Sequence, residues 1–409
     1  MLYLYFLNGG DSVNIYIKQD KFHKITFRKY MVSKMVKEEL TLRTLLCYYQ
    51  ELACQKYYNE SLQTYVLGKN YDARFNVNLK KIGQYFIFEY SLTSVDPLYI
   101  NDSEYTVEKL ESLFNDLIVP RFFKGKAVKD LFNRAKEIYQ SDLFSRFENP
   151  SILSFENAIK HFYHGTIRDY DSYGSLDDLN NITEKDLYDY YQKVIKEENI
   201  SIGSGNFDFS SNQNYSLKPK TDFYFTEKGE YKSFMYEHFD SDQCYLEVIY
   251  DTGIYSLDDL SFGIRGVNYL FGGRAFSYLF DIVRERYGLC YNISSMYLGA
   301  SGIIIVSAVI NYSDLDKVLD AIDEALNKLK EDDINLDEIK NHFISNIKQS
   351  KDNFSTMVDN YLLDNFFING NESYKEMEKI NNIKVEDIKK AMSKMNRSFV
   401  YAYGGKKND

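Results

Sequence analysis

The segment Leu179-Asn-Asn-Ile-Thr-Glu-Lys-Asp-Leu187 has a second copy in the chain, Ile380-Asn-Asn-Ile-Lys-Val-Glu-Asp-Ile388, at an offset of 201 residues. In each copy the apolar residues are spaced as on one face of a helix, so we predict that each copy opens an amphipathic helix. A repeat constrains an architecture more strongly than local propensity does, because each copy belongs to one repeated structural unit. The sequence therefore predicts a chain of two similar halves.

The surroundings of the two copies agree as well. Each copy leads to a short apolar strand that ends in glycine, at residues 200–205 and 399–405. Upstream, the order of a strand and a following helix is the same in both halves: 85–91 then 107–117, and 302–308 then 315–329. We therefore expect an α+β fold of two homologous domains, each a mostly antiparallel sheet flanked by helices.

A polar, turn-rich stretch separates the halves. Residues 207–230 are weakly periodic and contain Pro219, which is typical of an interdomain linker. We predict an N-terminal domain over residues 1–206, a linker over 207–230 and a C-terminal domain over 231–409, which opens with a strand at 243–250. The 409 residues provide enough chain for two domains of about 200 residues each.

Composition excludes several classes of function. The net charge of −11 repels nucleic-acid phosphate on average. Residues 1–11 lack a basic start and end in Gly-Gly-Asp, so we predict a first strand there rather than a signal peptide. No run of about 18 apolar residues occurs. We predict a cytoplasmic protein without a transmembrane segment or a nucleic-acid partner.

The cysteines and histidines do not form a metal-binding or catalytic motif. The four cysteines include no C-x-x-C pair and are predicted to be buried free thiols. The five histidines fit neither H-E-x-x-H nor H-x-x-E-H. His161 and His164 can share a helix face, but no neighbouring acid completes a site, so we interpret them as polar residues at a helix end before Gly165. The G-x-S-x-G and G-x-x-x-x-G-K-[ST] motifs are missing too.

A second distinctive stretch is Phe271-Gly-Gly-Arg-Ala-Phe-Ser-Tyr-Leu-Phe-Asp-Ile-Val-Arg-Glu-Arg-Tyr-Gly-Leu-Cys-Tyr291. It predicts two glycines, a helix with a charged end, a break at Gly288 and a strand. Arg284 and Tyr291 are seven residues apart and are predicted to converge on one point. A guanidinium and a phenol both donate hydrogen bonds, which suits binding of a peptide backbone but breaks no bond. The alternatives are a surface ion pair of Arg284 with Glu285 and half-buried packing of Tyr291.

Gly272 to Tyr291 resembles the second-domain signature of the insulinase and mitochondrial-processing-peptidase superfamily of zinc peptidases, the inverzincins of the pitrilysin type. The duplication and the chain length extend this resemblance over nearly all 409 residues. It implies an insulinase-like, LuxS-metallohydrolase-like duplicated fold in which Arg284 and Tyr291 bind the substrate backbone. It also implies that Gly272 and Gly273 let a loop lie close to an entering peptide. A tight turn before a helix is the alternative for these two glycines.

In that superfamily the first domain binds zinc through an H-x-x-E-H helix and a distant glutamate. Here Arg43, Leu46 and Cys47 stand at the His, Glu and His positions, and the glutamate falls near Asp142. The resemblance therefore implies that this chain binds no zinc or other cofactor and is inactive alone.

The resemblance further implies a bacterial heterodimer, in which a homologous H-x-x-E-H chain binds the zinc. Such a peptidase would cleave or mature peptides, for example a bacteriocin or another ribosomally made precursor. A peptide-binding or scaffold protein that serves no protease is the alternative.

Overall fold

The computed structural model describes residues 12–207, 220, 222–363 and 372–405. The first strand predicted over residues 1–11 and most of the predicted linker lie outside these residues. The described chain divides into two compact units. One unit comprises the residues up to Ser145, those from Asp171 to 207, and Phe354–Asp359, and the other comprises the rest. Each unit is assembled from separate segments of the chain. The division into continuous domains stays a prediction, with boundaries at 1–206, 207–230 and 231–409.

The first unit is built on a five-stranded sheet with the strand order β1-β7-β2-β4-β3. Its strands are β1 Ser12–Lys18, β2 Lys24–Lys34, β3 Arg74–Ile82, β4 Tyr85–Val95 and β7 Glu198–Gly205. Only β1 and β7 run parallel; the other neighbours are antiparallel. A small hairpin adds β5 Phe122–Phe123 and β6 Lys126–Ala127.

The second unit repeats this sheet. Its strands are β8 Phe234–Glu237, β9 Cys244–Asp251, β10 Cys290–Leu298, β11 Ile303–Ile310 and β12 Asn396–Gly404. Their order is β8-β12-β9-β11-β10, and only β8 and β12 run parallel. In both sheets the first strand of the half pairs with the last, and the third strand lies at the edge. The predicted α+β fold with mostly antiparallel sheets and a duplicated topology is confirmed.

Helices flank both sheets. Those of the first half are α1 Leu40–Leu52, α2 Glu60–Lys69, α3 Val107–Leu117, α4 Lys129–Phe147, α5 Pro150–Phe162, α6 Leu176–Asn181 and α7 Glu184–Val194. Those of the second half are α8 Ser261–Phe271, α9 Leu315–Glu331, α10 Leu336–Lys351, α11 Phe354–Leu362, α12 Glu372–Asn382 and α13 Val385–Met392, with a π-helix at Phe280–Arg286. No helix in the described ranges is both long and apolar enough to cross a membrane.

The repeated segment ends one helix and starts the next in each half. It joins α6 to α7 and α12 to α13. In the first copy Asp186 accepts a hydrogen bond from the backbone N–H of Thr183 at 2.9 Å, and in the second Asp387 accepts one from Lys384 at 2.9 Å. An acid at this position satisfies a free N–H of the helix start, so the same cap recurs in both halves.

Each unit has one core between a sheet face and its helices. Alternate residues of β2, such as Phe27 and Met31, point into the first core, and alternate residues of β9, such as Leu246 and Val248, point into the second. This alternation follows from the two-residue period of a strand.

The opposite face of each sheet carries polar side chains that meet a helix from the other half of the chain. In the second unit, the side-chain amide of Asn157 in α5 donates a hydrogen bond to the hydroxyl of Tyr401 in β12 at 3.3 Å. In the first unit, Asp359 of α11 pairs with the buried Arg28 of β2 at 2.7 Å. Each unit therefore depends on a segment that the other half of the sequence supplies.

Candidate substrate-binding site

The two glycines after α8 join the helix end directly to the edge strand β10. Both Gly272 and Gly273 donate backbone hydrogen bonds to the carbonyl of Asn268, at 3.1 and 2.8 Å. Ser295 of β10 donates to the carbonyl of Gly272 at 3.0 Å. A Cβ on Gly272 would lie 2.7 Å from the backbone nitrogen of Ser295, closer than packed atoms approach. The structure thus gives Gly272 a packing function, as the tight-turn alternative expects.

The predicted helix that ends in charge is present, but its last turns form a π-helix. The N–H of Tyr287 bonds the carbonyl of Ile282, five residues back, at 3.2 Å. Ile282 and Val283 are buried, whereas Arg284 is exposed. Single π-turns occur frequently at functional sites. The predicted glycine break follows: Gly288 has φ +62° and donates to the carbonyl of Arg284 at 3.0 Å.

Among the described residues, Arg284 has only weak partners. Its side chain is 41% exposed, and its Nε lies 3.6 Å from Glu285 Oε1. A surface pair of this kind contributes little stability. The guanidinium carbon lies 4.5 Å from the centroid of the Phe280 ring, and this cation–π contact helps to position the side chain. The ion pair with Glu285 therefore exists, yet it leaves the outer N–H groups of Arg284 able to donate.

Tyr291 is the most exposed large side chain of the region, at 86%. It lies in β10, which among the described strands pairs with β11 alone and forms the edge of its sheet. The register between these strands shifts between Cys290 and Ile293. A bulge of this kind re-aims side chains. Half-buried packing is therefore not its environment, and within the described ranges its hydroxyl meets no hydrogen-bonding group.

Arg284 lies close enough to the start of β10 for its charge to act on Cys290. Burial raises the pKa of the Cys290 thiol to about 11, and the positive charge of Arg284 acts against this rise. Cys290 directly precedes Tyr291, so the residues Arg284 and Tyr291 both lie near the first residues of the edge strand. The motif from Gly272 to Tyr291 did not predict the exposure of Phe276, which lies in the loop between the glycines and the π-helix. A large apolar residue three positions after Gly273 was the available signal.

The positions of the degenerate zinc motif lie inside the first core. Leu46 and Cys47 belong to the core cluster of α1, and Arg43 is 1% exposed. Arg43 donates to Glu197 Oε1 at 2.9 Å and to the hydroxyl of Tyr190 at 3.2 Å. Burial alone would lower the pKa of Arg43, but the bond to Glu197 and the nearby oxygens outweigh burial and raise it.

The other candidate ligands are engaged elsewhere. Asp142 accepts a hydrogen bond from the hydroxyl of Tyr48 at 2.8 Å. His161 bonds Glu237 at 2.8 Å, whereas His164 bonds Asp169 at 2.9 Å, so the two imidazoles face different acids. Among the residues that the structure describes, no group of three or more His, Cys, Asp or Glu side chains could hold a metal ion.

Known proteins share both the sequence pattern and the fold. Residues 181–343, which include the stretch from Gly272 to Tyr291, match the family model described as the peptidase M16 inactive domain. A curated relative, the "Probable inactive metalloprotease YmfF" of Bacillus subtilis (strain 168), is 23% identical over 348 residues, which cover 81% of this chain and 80% of the relative.

Solved structures with little sequence identity have the same fold. A conserved protein from Enterococcus faecalis V583 superimposes with a TM-score of 0.84 at 20% identity, over 96% of each chain. A peptidase M16 inactive domain from Pseudomonas fluorescens gives 0.71 at 16% identity, over 97% of this chain and 96% of the other. The chain is therefore similar to M16 peptidases: residues 181–343 match the inactive domain of that family, and the fold is that of a solved peptidase M16 inactive domain.

Proposed function

We propose that this chain is the non-catalytic, substrate-binding subunit of a heterodimeric zinc endopeptidase. In this assembly Arg284 and Tyr291 hold the backbone of a peptide opposite the zinc site of a homologous H-x-x-E-H partner. The observation that carries the proposal is a contrast between the halves. Arg43, Leu46 and Cys47 are enclosed in a core, whereas Arg284 and Tyr291 present donors to solvent at a sheet edge.

The two side chains suit one task, the binding of a carbonyl oxygen. A hydrogen bond from a charged donor contributes about 1.5–3 kcal/mol and a neutral one about 0.5–1.5 kcal/mol. Both bonds strengthen when the carbonyl becomes an oxyanion, so their effect is greatest in the transition state. Loss of both therefore reduces turnover on the order of a hundredfold.

The partner supplies the rest of the active site. Its H-x-x-E-H residues would hold the zinc, whose chemistry would be the activation of a water molecule for peptide hydrolysis. The chain described here binds no cofactor of its own and is inactive alone. We place the assembly in the cytoplasm of a bacterium, where it cleaves or matures peptides such as ribosomally made precursors. The similarity to the "Probable inactive metalloprotease YmfF" of Bacillus subtilis (strain 168) supports the non-catalytic part of this proposal.

The test is reconstitution with an H-x-x-E-H homologue from the same source. Cleavage of a fluorogenic peptide is measured with the wild-type chain, Arg284→Ala and Tyr291→Phe. Arg286→Ala and Tyr287→Phe are matched controls, because they change the same residue types on the same segment, where both side chains bond Glu324 at 2.7 and 2.8 Å.

Each outcome has a distinct meaning. We expect kcat/KM to fall at least about tenfold in Arg284→Ala and about two- to tenfold in Tyr291→Phe, and less than twofold in each control. Unchanged turnover in both site variants would refute the roles of Arg284 and Tyr291. Peptide binding by the chain without any effect on the activity of the partner would favour the protease-independent binding protein.

A further inference from the structure

Phe276 combines exposure with an unfavourable backbone conformation. Its side chain is 80% exposed, and its φ is +58°. This left-handed region disfavours residues with a bulky side chain. A large apolar residue that stays both solvated and strained contributes little to folding. Strain of this kind occurs where a side chain is positioned for a function.

The loop around Phe276 is anchored on both sides. Arg274 forms an ion pair with Glu338 and lies over the ring of Tyr269 at 5.2 Å. On the other side, the buried Ser277 accepts a hydrogen bond from the N–H of Phe280 at 3.3 Å. The loop is therefore held in place while one aromatic side chain projects from it.

Phe276 continues the surface that carries Arg284. Its ring packs edge-on against Phe280, with the centroids 5.7 Å apart, and the guanidinium of Arg284 lies 4.5 Å from the Phe280 centroid. We propose that Phe276 and Phe280, called here the apolar ledge, bind a bulky apolar side chain of the peptide whose carbonyl Arg284 and Tyr291 hold. This proposal rests on the proposed function and adds a sequence preference to it.

The spacing limits where that side chain lies in the peptide. The Arg284 guanidinium lies 4.5 Å from the Phe280 centroid, which lies 5.7 Å from the Phe276 centroid. An extended peptide advances roughly 3.3 Å per residue, so the two distances together span about three residues. The preferred apolar residue is therefore within about three positions of the bound carbonyl. Only every second side chain of an extended peptide faces the ledge, so the peptide positions between them show no preference for a bulky apolar residue.

Charge argues for a peptide rather than a lipid surface. The same π-helix carries the exposed Asp281 and Glu285 beside Arg284 and Arg286, so it is not a basic surface, and the whole chain has a net charge of −11. Anionic membranes attract basic rather than acidic surfaces. Arg284 provides a donor for one carbonyl, while the acids disfavour a peptide with an acidic residue at the ledge.

The experiment uses the full-length chain and a library of ten-residue fluorescein-labelled peptides with randomised positions. Captured peptides are sequenced for the wild type, Phe276→Ser, Phe276→Tyr and the double variant Arg284→Ala with Tyr291→Phe. Phe123→Ser is the matched control, since Phe123 is 65% exposed in the hairpin of the other unit. We expect the wild type, Phe276→Tyr and the control to enrich Phe, Tyr, Leu or Met at one position about three- to tenfold. Phe276→Ser should lose this enrichment yet still capture peptide.

The experiment distinguishes failure of the ledge from failure of the proposed function. If Phe276→Ser keeps the enrichment, the ledge is refuted and the proposed function stands. If the double variant captures the same peptides as the wild type, or the wild type captures none, the proposed function fails and the ledge with it. Light scattering tests a third outcome. If the wild type is a dimer and Phe276→Ser is a monomer, the ledge is an interface between copies of the chain and the inference is overturned.

A second measurement excludes a structural role for Phe276. In Phe276→Gly the strained φ becomes favourable, so we expect an unchanged or higher Tm together with the lost peptide preference. A clearly lower Tm would show that Phe276 stabilises the loop and would overturn the inference.

Discussion

Both carboxylate oxygens of Glu197 hold the guanidinium of Arg43, with Nη1–Oε1 at 2.9 Å and Nη2–Oε2 at 2.5 Å. The two side chains are only 1% and 8% exposed. Nη1 also donates to the hydroxyl of Ser33 at 2.8 Å. The pair connects α1 to the chain just before β7, at the position where the superfamily resemblance places the first histidine of the zinc motif.

Arg43→Met should destabilise the protein strongly, because it leaves the carboxylate of Glu197 buried without its counter-charge. Breaking a buried pair on one side costs about 3–5 kcal/mol, whereas replacing both partners by apolar residues is much less harmful. We therefore expect Arg43→Met combined with Glu197→Leu to recover most of the loss. The free energy of unfolding in urea measures both effects.

The control for this prediction is Lys185→Met, which removes the exposed pair with Asp189. Exposed pairs contribute at most about 1 kcal/mol, so this variant should stay close to the wild type. A loss below about 1 kcal/mol in Arg43→Met would contradict the assigned role of the buried pair.

The purified chain should contain no stoichiometric zinc. Arg43 holds a positive charge at the first ligand position and Leu46 offers no donor atom. Burial raises the pKa of the Cys47 thiol far above its usual range, and a cysteine binds zinc well only as its thiolate. Metal analysis after incubation with zinc and gel filtration should give well below one zinc per chain. One tightly bound zinc per chain, lost in Cys47→Ser, would contradict this prediction.

Gly272→Ala should destabilise the protein, because its Cβ would lie 2.7 Å from the backbone nitrogen of Ser295. Forced overpacking of this kind typically costs about 1–3 kcal/mol. Gly68→Ala in α2 is the matched control: the nearest atom to its Cβ is Asp72 Oδ1 at 3.7 Å, and alanine favours the helix. Thermal unfolding of both variants measures the difference.

The same pair of variants separates the two interpretations of the glycine. A stable Gly272→Ala variant with weakened peptide binding would show that the glycine serves the approach of a peptide rather than the packing of β10.

The sequence was sufficient to predict the repeated segment and the elements whose residues lie close together along the chain. The copies at Leu179 and Ile380, and the order of helix, glycine and strand from Gly272 to Tyr291, depend on local patterns and were found. The π-helix was missed, because the residues that turn inward, Ile282 and Val283, fit an ordinary helix equally well.

Features that depend on distant parts of the chain were not predictable. The partner of Arg43 lies 154 residues away, and nothing near either residue indicates the pairing. The exposure of Tyr291 results from a register shift against β11, whereas simple alternation predicts half-burial. The strained φ of Phe276 has no signal in residue type, since phenylalanine is uncommon in that conformation.

A buried carboxyl group should make stability depend on pH. Glu247 lies in β9 and is almost fully buried, with its Oε2 2.5 Å from the hydroxyl of Ser307. Burial raises its pKa from 4.5 to about 8, and the hydrogen bonds only partly oppose the rise. Between these two values the folded protein keeps the proton and the unfolded chain releases it. Stability is therefore highest near or below the pKa of the unfolded chain and falls as the pH rises toward 8.

Glu247→Gln removes this titration and keeps the shape of the side chain. The free energy of unfolding of the wild type, minus that of the variant, should fall by about 1.4 kcal/mol per pH unit within the window. Urea unfolding at pH 5.5, 6.5 and 7.5 measures this difference, in which the titrations of the other groups cancel. A constant difference over that range, or one that grows with pH, would show that the Glu247 carboxyl is already ionised in the folded protein.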